Sequence, residues 1–309
     1  MTRHLLRRLL AAVPVLFFIT FFAFLLANAS PGDPALVVAR QRAMDQPTAE
    51  DLVAIRKELR LGDPVVVRYL RWVGDAAGGD LGTSFRGDPI LPTLLSRFGF
   101  TLQVAVPAMV LSMLIAFPVG VFAAVQRGSV GDHVSRLASL LGASVPSFAL
   151  GYILIIVFSV KLHLLPVAGR GSWLHLVMPT ATLALGAGAS LARLVRSSLL
   201  ETLGDDYVRT ARSKGLVERT VVVSHGLRNS VLAVVTVLGM RFGRLLAGAA
   251  IVETVFTWPG IGRYVVESIY NQDYPAVQGF VVFIGTFIVV VNLIVDLLYT
   301  RLDPRISSK

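Results

Sequence analysis

Arg241 and Arg244 stand inside the apolar run Val231–Val252, three residues apart. At that spacing they share one face of a helix. On insertion scales a guanidinium at mid-span costs roughly 2.5–3.5 kcal/mol, so neither should face lipid. Two readings stay open. The pair lines a polar pathway and meets a substrate carboxylate, or it bonds to carbonyls and carboxylates of neighbouring helices. Asp296 is an imperfect partner by depth, because it falls near one end of the last apolar run. Asn292 and Asp296 lie one turn apart and form a candidate polar seam, with Asn292 toward the pathway.

A second constellation is the basic stretch Asp206-Tyr207-Val208-Arg209-Thr210-Ala211-Arg212-Ser213-Lys214-Gly215-Leu216, set between long apolar runs. Tyr207, Val208, Ala211 and Leu216 are spaced like one face of a short helix. An amphipathic helix outside the bilayer suggests a docking surface for a partner. A third is Glu253-Thr254-Val255-Phe256-Thr257-Trp258-Pro259-Gly260-Ile261-Gly262, which closes the fifth apolar run. Trp258 suits an interfacial belt and Pro259-Gly260 forces a turn. Glu253, Phe256 and Trp258 are candidates for an outer gate; a plain helix-terminating turn is the rival reading.

Catalytic patterns are missing. There is no Gly-x-x-x-x-Gly-Lys-Ser/Thr loop, so the chain is not expected to hydrolyse ATP. With no cysteine, disulfides and thiol chemistry are excluded. The five histidines show no ligand spacing, and no metal site is expected. Ser224-His225 has no carboxylate in register. Gly186-Ala-Gly188 and Gly260-Ile-Gly262 lack a third glycine and a strand–helix context. Gly186, Gly188, Ala189 and Gly248 suit close helix packing in a membrane.

The elements that must position these groups are membrane helices. The chain is 54% hydrophobic and only 16% charged, with mean hydropathy +0.70. Six apolar runs approach the roughly 20 residues a helix needs to cross about 30 Å of hydrocarbon: Leu9–Ala29, Thr101–Val125, Leu137–Val160, Leu174–Leu194, Val231–Val252 and Val277–Tyr299. Only helices fit, since backbone groups in lipid must bond within their own segment. Arg3, Arg7 and Arg8 precede the first run, while Arg193 to Arg228 and Arg301 to Lys309 flank later ones. The positive-inside rule puts both termini and the 193–228 loop in the cytoplasm. The net charge of +10 then faces anionic lipid rather than nucleic acid. The first run followed by Ala27-Asn28-Ala29 imitates a cleaved signal, but it exceeds the usual 7–15-residue core and reads as a retained span. In the outer segment Ser30–Gly99, Thr48 caps an expected helix to Arg60 with Asp51 as a capping-box partner, and Gly62-Asp63-Pro64 ends it.

Nearly the whole chain resembles the membrane-spanning subunit of a binding-protein-dependent ABC importer of the dipeptide/oligopeptide/nickel class. The resemblance rests on Pro31-Gly32-Asp33-Pro34, Gly79-Asp80-Leu81-Gly82-Thr83-Ser84, the Glu253–Gly262 hairpin with Asp273-Tyr274-Pro275, and Asp296-Leu297-Leu298-Tyr299 with Leu302-Asp303-Pro304-Arg305. It implies an all-α, type I importer permease fold with six spans. The parts are an N-terminal helix (1–29), an extracytoplasmic segment (30–99) and a five-helix core (100–309). It implies a second homologous permease, two ABC ATPase subunits that hold ATP and magnesium, an external substrate-binding protein, and residence in the cytoplasmic membrane. The chain itself would be non-catalytic and bind no cofactor.

Residues 193–228 resemble the coupling loop that inserts into the ATPase. Asp206, Tyr207, Arg209, Thr210, Ala211, Lys214, Gly215 and Leu216 are the contacts implied, and Gly215 and Ala211 match that loop's central glycine and alanine. Arg209 and Thr210 stand where many importers carry Glu and Ala. The expected cargo is a peptide or related small solute. The rival class, an autonomous secondary transporter or channel, predicts mid-span acids or inverted repeats, and neither is visible. A second rival, an intramembrane hydrolase, is disfavoured by the missing motifs, and a purely structural scaffold is a third.

Overall fold

The computed structural model describes residues 2–29, 32–42, 44 and 46–302; the side chains at 2–7, 9, 229, 231–241, 244 and 296–302 lie outside the described set. Helices come in the order α1 (Thr2–Ala29), α2 (Pro34–Gln41), α3 (Ala49–Glu58), α4 (Val65–Ala77), α5 (Ile90–Val125), α6 (Val130–Ser144), α7 (Ser147–Leu154), α8 (Leu174–Leu203), α9 (Asp206–Ser213), α10 (Glu218–Thr220), α11 (Arg228–Val255), α12 (Ile261–Tyr270) and α13 (Tyr274–Leu302). Among the described residues there is no strand, only an isolated bridge between Thr83 and Pro89.

Among the described residues, four helices are long and apolar enough to cross a membrane: Leu10–Ala29 of α1, all of α5 and α8, and Tyr274–Val295 of α13. The third apolar run is not one straight span. α6 and α7 meet at 97°, and the chain continues as a π-helix over Ile155–Lys161. Pro146 explains the bend. It offers no N–H, and it pushes Val145 out of the helical region into extended backbone. The fifth run lies within the continuous 28-residue α11, most of whose side chains in that run are outside the described set. Helices also outrun the apolar segments. α5 begins at Ile90 rather than Thr101, and α8 continues through Arg193 and Arg196 to Leu203, so the expected 193–228 loop is largely helical.

The chain divides into two compact units, 1–99 with 263–309, and 100–262. Residues 263–309 thus group with the N-terminal part. In the first unit α1 packs along α13, where a Cβ at Gly285 would come within 2.9 Å of Ile19. The outer segment has its own small core of Ala35, Val38, Ala39, Ile55 and Phe85. The capping box expected at Thr48 forms. The Thr48 N–H donates to Asp51 Oδ2 at 2.9 Å, and the Asp51 N–H donates to Thr48 Oγ1 at 3.2 Å. Asp33 caps α2 by accepting the Ala35 N–H and pairs with Arg56 of α3 at 2.6 Å. Buried Asp273 accepts N–H groups from Phe85 and Ala276 and so holds the Gly79–Ser84 loop's successor against the start of α13.

In the second unit α8 is central and packs on α6 and α11. Close approach to α5 needs Gly120, where a Cβ would fall 2.7 Å from Val195 Cβ. Three small apolar clusters run on from one another: Ala116, Leu191, Ala192 and Val195, then Ala124, Leu199 and Val222, then Val208, Ala211 and Val221. Val121 borders the first two and Leu203 the last two. Arg196 of α8 donates to buried Asp132 of α6 through Nε and Nη2, at 2.7 and 2.8 Å.

Candidate functional site

The basic stretch is a two-turn helix, α9. Val208 and Ala211 turn inward against Val221 and Leu203 and are buried. Tyr207 and Leu216, expected on that same face, are instead exposed at 40% and 41%. The four residues thus divide between packing and presentation: Tyr207 lies one turn from Ala211 but at the rim, where its ring remains partly exposed, and Leu216 follows the turn at Gly215 and so lies beyond α9. Gly215 adopts φ +76°, a left-handed value that favours glycine, and its N–H closes on Arg212 O at 2.9 Å. The constraint there is conformational, for no atom lies within 4 Å of a Cβ position.

The helix is braced from one end. Arg212 grips Glu218 with Nε and Nη2, at 3.1 and 2.7 Å, and reaches Leu203 O at 3.4 Å. This guanidinium holds the Glu218 carboxyl below the usual glutamate value. The last turn of α8, α9 and α10 are thereby linked. Tyr207 Oη also contacts His225 O at 3.4 Å. Toward the outside α9 and its sequel show Tyr207, Arg209, Thr210, Lys214, Leu216 and Val217, an apolar patch with basic edges. Asp206 and Arg209 approach at 3.6 Å but are 98% and 74% exposed, so that pair contributes little. The Glu218 brace and exposed Val217 were missed by the sequence reading. The first needs the turn at Gly215, and the second follows no helical period.

The candidate outer gate is a closed, hydrogen-bonded turn. Glu253, Phe256 and Trp258 are 1%, 2% and 1% exposed. Glu253 accepts the Thr101 hydroxyl at 2.5 Å and the Gly262 N–H at 2.8 Å; Thr101 Oγ1 in turn accepts the Ile261 N–H at 2.9 Å. Trp258 Nε1 donates to Phe100 O at 2.9 Å. A Cβ at Gly260 would overlap the Glu253 carboxylate, so glycine is required for close approach rather than for φ. The Gly169 N–H bonds Phe256 O at 2.8 Å, and Arg170 sits 4.2 Å over the Phe100 ring.

Arg241 and Arg244 lie on α11 with side chains outside the described residues, as does Asp296; Asn292 is exposed on α13. A cavity of about 310 Å³ that the sequence did not reveal opens among α5, α7, α8 and α11, lined by Ser112, Ser147, Thr182, Gly186, Ser190 and Gly248 among others. Of the glycines expected at helix contacts, Gly188 has one, for a Cβ there would come within 3.3 Å of Ser112 O. At Gly186 a Cβ would meet nothing within 4 Å, and at Gly248 only Leu183 at 3.9 Å. Among the described residues no group of three or more His, Cys, Asp or Glu is placed to hold a metal.

A chain whose described residues form helices, several of them long and apolar enough to cross a membrane, is an all-helical membrane protein. The chain belongs to the family of binding-protein-dependent transport system inner membrane components: that family's model matches residues 116–308, and the family's N-terminal model matches residues 1–105. It is a multi-pass inner membrane protein. It is 39% identical to the glutathione transport system permease protein GsiC of Escherichia coli O6:H1 over 310 residues, with both chains fully covered. It is also 39% identical to the dipeptide transport system permease protein DppB of Escherichia coli K12 over 341 residues, again with full coverage. Among solved structures, an inward-facing MetNI methionine ABC transporter chain aligns over 68% of this chain and 96% of its own, with a TM-score of 0.57 and 20% identity. An amino acid ABC transporter with histidines gives 68% and 94%, a TM-score of 0.56 and 15% identity. At those identities the likeness speaks to the fold alone.

Proposed function

We propose that the chain is one half of a heterodimeric permease that imports di- or oligopeptides, or related small solutes such as glutathione, delivered by an external binding protein. Two ATPase subunits, which hold ATP and magnesium, drive the cycle. In this reading the six spans are α1, α5, the bent α6–α7 pair, α8, α11 and α13, with both termini in the cytoplasm. Asp206, Tyr207, Arg209, Thr210, Lys214, Gly215 and Leu216 form or shape the surface that docks in an ATPase groove, and Ala211 anchors it from beneath.

The observation that carries the proposal is the continuity of packing from α9 to α8. Val208 and Ala211 sit on Leu203 and Val221, and Leu203 also borders the next cluster along α8. A rigid lever needs such a contact. Motion of α9 would be passed into α8 rather than lost in a loop, and alternating access requires an element with two positions that the partner biases. The pathway would run past the hydroxyl-lined cavity, with Arg241 and Arg244 as its polar residues. The Glu253–Gly262 turn would form its outer boundary, with Glu253, Phe256 and Trp258 shaping the gate from inside.

A mild-detergent pull-down of the tagged chain followed by uptake assays in proteoliposomes tests this. Recovery of a second permease and ATPases, with ATP-dependent uptake of a labelled dipeptide or glutathione, is expected. A chain recovered alone that transports without ATP would establish an autonomous transporter instead.

A further inference from the structure

α4 is amphipathic in a way no soluble core uses. Val65, Tyr69 and Trp72 fall on one side, next to Val66, Leu70 and Val73; Arg68, Arg71 and Asp75 fall on the other. Val66 and Leu70 are 67% and 63% exposed. The Tyr69–Trp72 edge is packed against α1. Tyr69 stacks edge-on to Phe21 and Phe24 at 5.9 and 5.3 Å, and its hydroxyl lies 3.1 Å from Thr20 Oγ1. Trp72 lies 6.2 Å from Phe24. Thr20 is nine residues from Ala29, the end of the span, and so about 14 Å along the helix. A hydrocarbon leaflet is about 15 Å thick. The tether therefore fixes α4 at the membrane, with its bare apolar face continuous with the exposed Phe17, Phe18 and Phe22 of α1.

Behind α4 is a cleft of about 650 Å³ lined by Phe24, Asn28, Arg68, Trp72, Tyr274 and Gln278, among others. Gln278 is 8% exposed, and its Nε2 has no hydrogen-bond partner. A buried, unsatisfied amide donor costs stability and points to a missing acceptor. Arg68 is half-buried and makes no ion pair among the described residues; the Asp63 carboxylate, bonded to Arg71 at 2.8 Å, offsets the burial of Arg68 only in part. Burial pulls its guanidinium below the usual arginine value, leaving it charged but poorly compensated. Glu58 at the rim is engaged by Arg42 at 2.6 Å, so it does not compete for Arg68. An unpaired cation, an unused amide donor and aromatic walls beside an exposed apolar face match the phosphate and glycerol region of a lipid.

We propose that α4 is an interfacial helix, and that the cleft behind it binds the headgroup of an anionic phospholipid in the leaflet at the Ala29 end of α1. Arg68 and the Gln278 amide take the phosphate oxygens, and the acyl chains lie along Val66 and Leu70 and the outer face of α1.

The cysteine-free sequence makes the test direct. In the assembled transporter in nanodiscs, a nitroxide on Leu70→Cys should collide with oxygen rather than with a water-soluble nickel chelate. Native mass spectrometry with phosphatidylglycerol and phosphatidylcholine should show preferential retention of phosphatidylglycerol. Arg68→Gln should weaken that retention about tenfold, the loss of one charge-assisted hydrogen bond, and Arg68→Lys should recover most of it. Phosphatidylcholine retention should not change in either variant. A water-exposed label at Leu70, or equal retention of the two lipids by the unaltered protein, would overturn the proposal. Displacement of phosphatidylglycerol by millimolar inorganic phosphate would also overturn it, by assigning the cleft to a soluble anion.

Discussion

Asp132 and Arg196, 64 residues apart in sequence, meet in a two-point ion pair at 2.7 and 2.8 Å, with side chains 2% and 20% exposed. The Asp132 carboxylate also accepts the Gly128 N–H at 3.0 Å, so the pair fixes the start of α6 to α8. Removing one partner strands a buried charge. Arg196→Ala is therefore expected to destabilise the protein by about 3–5 kcal/mol. The double variant Arg196→Ala with Asp132→Ala should lose much less. Thermal unfolding followed by size-exclusion fluorescence compares the two.

Glu253 and Gly260 share one space, and no side chain fits at 260. Gly260→Ala should displace the carboxylate and prevent the turn from closing, seen as loss of monodisperse protein. Thr101→Val removes one donor to Glu253 and one acceptor for Ile261 while preserving shape. Its expected cost is about 1–3 kcal/mol.

Coupling should depend on how α9 is held as well as on what it shows. Val208→Asp puts a charge into the Val208–Ala211–Val221 cluster and should detach α9. Gly215→Glu should strain the left-handed turn, and Tyr207→Asp should alter the presented face together with the contact to His225 O. All three are expected to uncouple ATPase activity from uptake, or to lose the ATPase, with membrane insertion intact. Substrate-stimulated uptake at the unaltered rate in all three would reject α9 as the lever.

The Arg212–Glu218 brace predicts a pH profile. Glu218 has a depressed value in the folded chain, so its contribution is complete above its ordinary pKa of 4.5 and is lost only as pH falls through the lower, folded value. The ratio of uptake to ATP hydrolysis should be flat from about pH 5.5 to 8 as far as this pair is concerned. Glu218→Gln should lower that ratio equally across the range.

Asp273 works in the opposite sense. Burial raises its carboxyl above the usual aspartate value, so acidification through that raised range should stabilise the protein slightly. Asn at 273 keeps an oxygen that can accept from Phe85 and Ala276. Asp273→Asn should be nearly neutral, whereas Asp273→Ala should cost about 1–3 kcal/mol. Thermal shifts at two pH values separate these outcomes.

Composition and periodicity by themselves determined that this is an all-helical membrane chain. Twenty-residue apolar runs leave no other way to satisfy backbone hydrogen bonds. Local chemistry was legible too, in the Thr48–Asp51 capping box, the break after Arg60, and the short helix at 206–213, because each depends on residues three or four apart. The family was legible from several short motifs taken together. What remained hidden depends on pairs distant in sequence. The Arg196 that reads as an orientation marker is the partner of Asp132. The Glu253–Gly262 hairpin closes on Thr101, 152 residues from Glu253 in sequence. Tyr207 and Ala211, assigned to one face, lie on opposite sides of the packing boundary. Tyr69 reaches Thr20 across 49 residues and ties α4 to α1. Periodicity reports how often a face recurs along one helix, but only the packed neighbours decide what that face meets.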